Sequence, residues 1–218
     1  MNTTRENIMG VAERLFAEQG IGGTSLRSIM EAADVNAAAI AYHFGSKEDL
    51  IREILKRRLG PINDERLKRL DQLEAQSRNR PLSASQILEA FLEPPLRLAT
   101  DKTPGGEFFI QFLGRIFVEA GEDFQPLLQE HFGEILRRFP VALKRSLPEV
   151  SRAELSWRFF FMLGAFAYTM MNRSLVTWIS GGRCNPNDTK TVLRQLVAFA
   201  NAGLTGPNLS RIKKRTRK

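Results

Sequence analysis

Ser25-Leu26-Arg27-Ser28-Ile29-Met30-Glu31-Ala32-Ala33-Asp34-Val35-Asn36-Ala37-Ala38-Ala39-Ile40-Ala41-Tyr42-His43-Phe44 is the stretch whose pattern settles the fold class. Leu26, Ile29, Met30 and Ala33 recur at three- and four-residue spacing, which gathers them on one face of a short helix opened by Thr24-Ser25. Asp34-Val35-Asn36 ends that helix: Asp tolerates the left-handed backbone of a tight turn, and Asn36 can cap the next helix. That next helix is only Ala37 to about His43, because Phe44-Gly45 closes it and Ser46-Lys47-Glu48-Asp49 opens another. Two helices joined by a tight turn, with an apolar anchor behind them, form the pattern of a helix-turn-helix. The outward face of the second helix is small, with Asn36, Ala37, Ala38 and Ala41 beside Tyr42 and His43. Such a face can lie against base edges without obstruction, and it is too poor in large apolar side chains to be buried on every side.

Helical periodicity extends in both directions from this core, and no run alternates strictly enough for a strand. Upstream, Ile8, Val11, Ala12, Leu15 and Phe16 predict a helix that begins at the capping box Thr3-x-x-Glu6 and stops at Gly20. Downstream, the fourth helix is expected to bury Leu50, Ile51, Ile54 and Leu55 and to end at Leu59, where Gly60-Pro61 breaks the chain. A separate connector helix is expected over 63–76, and further helices over 83–100, 106–120, 125–146, 151–179 and 187–204, with Pro94-Pro95 kinking or splitting the first of these five. The expectation is an all-α fold divided at residues 1–60, 61–207 and 208–218. The first part is a three-helix helix-turn-helix domain, the second a larger helical domain and the third a basic tail without fixed structure.

Composition narrows the function classes. The chain has 218 residues, 43% hydrophobic and 26% charged, which excludes disorder as the main state. Its formal net charge is +8, yet residues 1–59 balance eight basic against eight acidic side chains. The tail from Asn208 to Lys218 carries six basic side chains and no acid, so most of the surplus lies outside the predicted DNA-reading part. One cysteine, Cys184, cannot form an intramolecular disulfide or a multi-cysteine zinc site, and two histidines do not build a histidine-rich centre, so neither metal nor cofactor is expected. The N-terminus lacks the apolar run of a secretory signal. The longest apolar stretch, Phe159 to Met171, is well short of the ~20 residues that cross a bilayer. A soluble, cytoplasmic protein without membrane contact is expected. Residues 81–207 show no nucleophile beside a histidine, no phosphate loop and no paired carboxylates, so catalysis is not expected.

The runs Ala12-Glu13-Arg14-Leu15-Phe16 with Gly20, Thr24-Ser25-Leu26-Arg27-Ser28-Ile29, and Val35 through Leu50 closely resemble the TetR family of transcriptional regulators over about residues 4–60. Asp34 stands where that family usually has glycine. The resemblance implies a homodimeric, mostly repressing transcription factor on a palindromic double-stranded operator, with a C-terminal domain for effector binding and dimerisation. Position by position it implies phosphate contacts from Tyr42 and Lys47, and backbone or groove-edge contacts from Ser25 and Arg27. Asn36, Ala37, Ala38, Ala41 and His43 would face the major groove. Asn36 could pair an adenine or act only as a cap, the alanines suit thymine methyls, and His43 could instead pack helix three from within. The segments Phe112–Arg115 and Trp157–Ala165 resemble a subgroup associated with fatty acids or acyl thioesters. Phe108, Gln111, Phe112, Arg115, Arg158, Phe161, Met162 and Phe166, in or beside the aromatic runs of these two helices, are the candidates to line a pocket for a small apolar effector, either an acyl chain whose carboxylate or phosphates pair with an arginine or a hydrophobic drug or aromatic molecule. The competing reading is a sequence-tolerant architectural DNA binder that relies on the basic tail.

Overall fold

The computed structural model describes residues 3–78, 80–98, 105–119 and 125–208. Ten helices occur among them: α1 Thr4–Gly23, α2 Leu26–Ala33, α3 Ala37–His43, α4 Lys47–Gln76, α5 Ala84–Leu98, α6 Gly106–Glu119, α7 Gln125–Ser146, α8 Arg152–Met171, α9 Arg173–Ile179 and α10 Thr189–Thr205. The described residues contain no strand. Both arms of the Thr3/Glu6 capping box are made, and α1 leaves helical geometry at Gly20 (φ 81°), the expected stop. Ile8, Ala12, Phe16, Ile29, Ile40, Leu50, Ile51 and Ile54 from α1–α4 share one core, so the short helices α2 and α3 are held by packing rather than by their own length.

Three boundaries differ from the sequence expectation. Helix α4 does not end at Leu59; it runs 30 residues through Gly60-Pro61. A residue before proline is normally driven from helical geometry by a clash that involves its Cβ, which Gly60 lacks. Buried Leu59 and Ile62 anchor the helix on either side. The 60/61 division therefore falls inside one helix that continues from the first domain into the second. Helix α5 likewise passes through Pro94-Pro95 without splitting. Pro95 has no N–H for the carbonyl of Phe91, and Arg66 of α4 donates its Nε–H to that oxygen instead, at 2.8 Å. The long helix expected over 151–179 is two, α8 and α9, separated at Asn172 (φ −122°, ψ 41°). The basic tail from residue 209 onward lies outside the described residues, while Asn208 is buried and donates from Nδ2 to Glu149 O at 3.1 Å.

Helix α6 ties the molecule together, packing extensively against both α1 and α8. Phe112 stacks on Phe16 of α1 with ring centroids 5.2 Å apart, and both are fully buried. Burying side chains of this size contributes about 1.5–3 kcal/mol each, so the helix-turn-helix unit is fastened to the rest of the chain by its first helix as well as by α4.

Candidate nucleic-acid interface

Helix α2 is capped by Ser25, whose hydroxyl accepts from Ser28 N at 3.0 Å while Ser28 Oγ answers the Ser25 N–H at 3.0 Å. Asp34 holds the turn in the left-handed region (φ 53°, ψ 51°), and Asn7 of α1 pins it by donating to Ala33 O at 2.9 Å. Asn36 then caps α3, its Oδ1 accepting from Ala39 N at 3.0 Å. This is the cap reading of Asn36, which is itself exposed. Ile40 is the one fully buried residue of α3 and locks it to the core. Ala37, Ala38 and Ala41 are exposed, and Tyr42 is 85% exposed. His43 is half-buried and packs edge-on against Tyr42 (5.0 Å between centroids) and obliquely against Phe44 (6.0 Å), so it fits neither open reading fully. Helix α3 thus presents a nearly flat alanine surface bordered by one large phenol. Arg27 projects from α2 beside it, bonded by its Nε to Glu31 at 2.9 Å and otherwise open to solvent.

Lys47 is placed differently from a free phosphate ligand. Its ammonium donates to Ile21 O at 2.9 Å and to Thr24 O at 3.1 Å, two carbonyls beyond the Gly20 kink of α1. Buried Thr24 ties the same turn, its hydroxyl donating to Gly20 O at 2.8 Å and Leu15 O at 3.2 Å. Two of the three ammonium protons of Lys47 are therefore committed to the scaffold, leaving one for an anion. The first turn of α4 carries Glu48 and Asp49, and its N-cap is filled by Ser46, whose Oγ accepts from Asp49 N at 3.0 Å. This turn braces the start of α4 against the end of α1. Neither Thr24 nor the scaffold role of Lys47 is visible in the sequence, because both depend on which carbonyls the Gly20 kink exposes.

Behind the interface lies a charged joint that local pattern does not reveal. Glu13 of α1 has a fully buried carboxylate that accepts from Arg57 and from both Nε (3.0 Å) and Nη2 (2.7 Å) of Arg58 on α4. Gly105 (φ +78°) lies against this joint, where a Cβ would come within 2.8 Å of Arg58 Nη2. Arg115 of α6 adds a second tie, donating to Ala17 O at 2.7 Å and Glu18 O at 3.3 Å.

Among the described residues, the eight effector candidates are spread over α6 and α8 in different surroundings. Phe112 and Arg115 join α6 to α1, with half-buried Phe108 and Gln111 on the same helix. Arg158 is committed to the end of α10, donating to Gly206 O at 3.1 Å, Pro207 O at 3.0 Å and Leu204 O, and pairing with Glu154 at 2.6 Å. Met162 and Phe166 are buried, but Phe161 faces outward. A groove of about 580 Å3 between α7 and α8 takes none of the eight. Among the described residues, the buried arginine whose charge meets no acid is Arg66, 1% exposed, bonded to Phe91 O and Asn63 Oδ1 and lying over the Phe91 ring at 4.3 Å. Burial pushes its pKa down to about 9, which leaves it charged at neutral pH.

The family profile described as tetracyclin repressor-like, C-terminal domain, matches residues 89–203, and the profile described as bacterial regulatory proteins, tetR family, matches residues 8–54. The chain belongs to the TetR family. Its helix-turn-helix is 51% identical over 51 residues to the HTH-type transcriptional regulator AcrR of Shigella flexneri, a match covering 23% of this chain and 24% of that one. Over 52 residues it is 38% identical to the HTH-type transcriptional repressor KstR2 of Rhodococcus jostii, covering 24% and 26%. These matches span about a quarter of the relatives' length. Whole-chain likeness is one of fold: the probable transcriptional regulatory protein RHA5900 superposes with TM-score 0.61 at 19% identity over 93% of this chain and 100% of its own. The regulator FadR of Bacillus halodurans gives 0.58 at 12% over 94% and 97%. The family and these relatives are transcriptional regulators rather than enzymes. No described helix is long and apolar enough to cross a membrane.

Proposed function

We propose that this TetR-family regulator is a cytoplasmic, homodimeric repressor that reads a palindromic operator with α3 and responds to a small effector. The observation that carries the reading is the surface of α3, three exposed alanines beside Tyr42 on a helix anchored by Ile40. Ala37, Ala38 and Ala41 approach base edges, with the Asn36 amide and His43 at the ends of that surface. Tyr42 engages phosphate, Ser25 and Arg27 contact the backbone or the groove edge, and Lys47 offers its remaining proton from the turn it braces. One short helix reads few base pairs, so specificity requires two copies with half-sites set to the ~34 Å helical repeat. An exposed stripe on α8, Trp157, Phe160, Phe161 and Tyr168, stands ready for such pairing together with Phe199 on α10. Nothing in the fold or in the relatives supports the architectural alternative. For the effector, the cluster of Phe139, Phe159 and Phe166 around Phe91, next to the unpaired charge of Arg66, supports an apolar molecule with an anionic end, such as a fatty acid or acyl thioester. The test is selection of bound duplexes from a random pool, followed by anisotropy on the selected sequence. A palindrome that wild-type protein binds and Ala38→Glu does not is expected; equal binding by both proteins would refute the reading.

A further inference from the structure

The segment between α8 and α10 is built firmly, and most of its residues are exposed, although Arg173 lies half-buried near Glu107 of α6. Arg173 donates to Pro186 O, Gly182 N to Thr177 O at 2.8 Å, Thr177 Oγ1 to Cys184 O at 3.3 Å, and Cys184 N to Ser180 Oγ at 3.0 Å. These bonds fold residues 172–188 into a braced arm. Within it α9 has no buried residue: Trp178 is 80% and Ile179 68% exposed, and with Leu175 one turn back they share a face. Apolar side chains fixed outward on a preorganised element fit a docking role, because the ordering cost of binding has already been met.

The same chain carries a matching concavity. The groove of about 580 Å3 between α7 and α8 has an apolar floor that includes Leu136, Val141, Leu155 and Phe160, three of them openly exposed. A shallower depression of about 370 Å3, lined by Ser156, Trp157 and Phe160, carries it toward the exposed stripe of α8. That stripe passes over Gly164, where a Cβ would meet no atom within 4 Å, so another helix can approach closely there. A two-fold axis crossing antiparallel α8 helices near Gly164 sets residues before it against residues after it on the second copy. Helix α9 begins nine residues after Gly164, and the near wall of the groove, Arg152 to Ser156, lies eight to twelve residues before it.

We propose that the arm docks in trans, with Trp178 and Ile179 of one copy seated in the α7–α8 groove of a second copy, reciprocally across the two-fold. The inference rests on the homodimer reading and adds to it a contact outside the α8–α10 faces. A convex and a concave apolar feature on one chain are both covered by this closed exchange, whereas a head-to-tail contact would cover them only by polymerising.

Cys184, exposed and the only cysteine of the chain, supplies the probe. The full chain is labelled there with a maleimide-benzophenone and mixed with unlabelled, nitrogen-15 protein before irradiation and peptide mapping. Isotope-hybrid links from the arm to residues 136–145 of α7 are expected. Links confined to one chain, or to α8 and α10, in a protein that light scattering shows to be dimeric, would overturn the arm while sparing the dimer. A monomer would overturn both. In sedimentation, Trp178→Ala should weaken the dimer about thirtyfold per arm, about a thousandfold for the two, as loss of a buried tryptophan anchor does. Val141→Glu should act likewise and add little to Trp178→Ala, because both remove the same contact. A dimer constant within twofold of wild type for either variant would refute the proposal.

Discussion

Replacing Glu13 by Gln tests whether the helix-turn-helix unit is fastened to α4 by charge. The substitution keeps size and shape but removes the anion between two guanidiniums. The Glu13 carboxylate is 1% exposed, against 32% for Arg57 and 13% for Arg58. Breaking a buried pair by neutralising one member costs about 3–5 kcal/mol, because the remaining charges stay desolvated. Arg57 keeps a third of its side chain in water, which screens its share, so the lower end, about 3 kcal/mol, is expected. For a chain of this size each kcal/mol moves Tm by about 2–4 °C, giving a fall of roughly 10 °C. Urea unfolding followed by circular dichroism, at fixed protein concentration, should show a lower midpoint with an unchanged slope. A loss below about 1 kcal/mol would show that the bridge behaves like a surface pair and that α1 is held by its apolar packing and its other ties.

Other substitutions separate scaffold from contact. Tyr42→Ala should leave Tm unchanged within a degree or two, since the side chain is open to solvent, while lowering operator affinity at least tenfold in anisotropy. Lys47→Gln should lower both, because it also removes the ammonium that bridges the Ile21 and Thr24 carbonyls. Arg66→Ala should destabilise by about 2–4 kcal/mol through lost packing and an unpaired Phe91 carbonyl. Adding Pro95→Ala should recover about 1 kcal/mol by restoring the missing N–H, a coupling measurable in a double-mutant cycle. His131 has its pKa held below the usual 6.5, first by desolvation, and its buried Nε2 has no hydrogen-bond partner among the described residues. The folded state therefore binds fewer protons there than the unfolded state, so stability should fall as pH drops below about 6.5. In urea titrations from pH 7 to 5, His131→Phe should flatten that dependence.

The helix-turn-helix was legible because its determinants are local. The caps at Thr3, Ser25 and Asn36, the left-handed Asp34 and the apolar spacing all act within four residues. What eluded pattern reading depended on distant partners. Gly60-Pro61 and Pro94-Pro95 read as breaks, yet buried neighbours hold the first and Arg66, 29 positions before Pro95, satisfies the second. Arg115 and Arg158 looked like ligand anchors beside aromatic stripes, but helix-end carbonyls claim both. Arg66 lies in the charge-rich stretch 63–76 that reads as a connector helix, where nothing local marks it as a buried cation.

Whether α3 or the basic tail chooses the DNA is decided by comparing genomic fragments bound by the full chain with those bound by protein truncated after Asn208, whose buried side chain makes it the last residue to keep. If α3 chooses, both proteins select one palindromic motif, with the truncated form weaker on all DNA alike and its log affinity still falling with log salt by about 0.9 per neutralised phosphate. Binding by the full chain that is indifferent to sequence, and that vanishes with residues 209–218, would show the opposite.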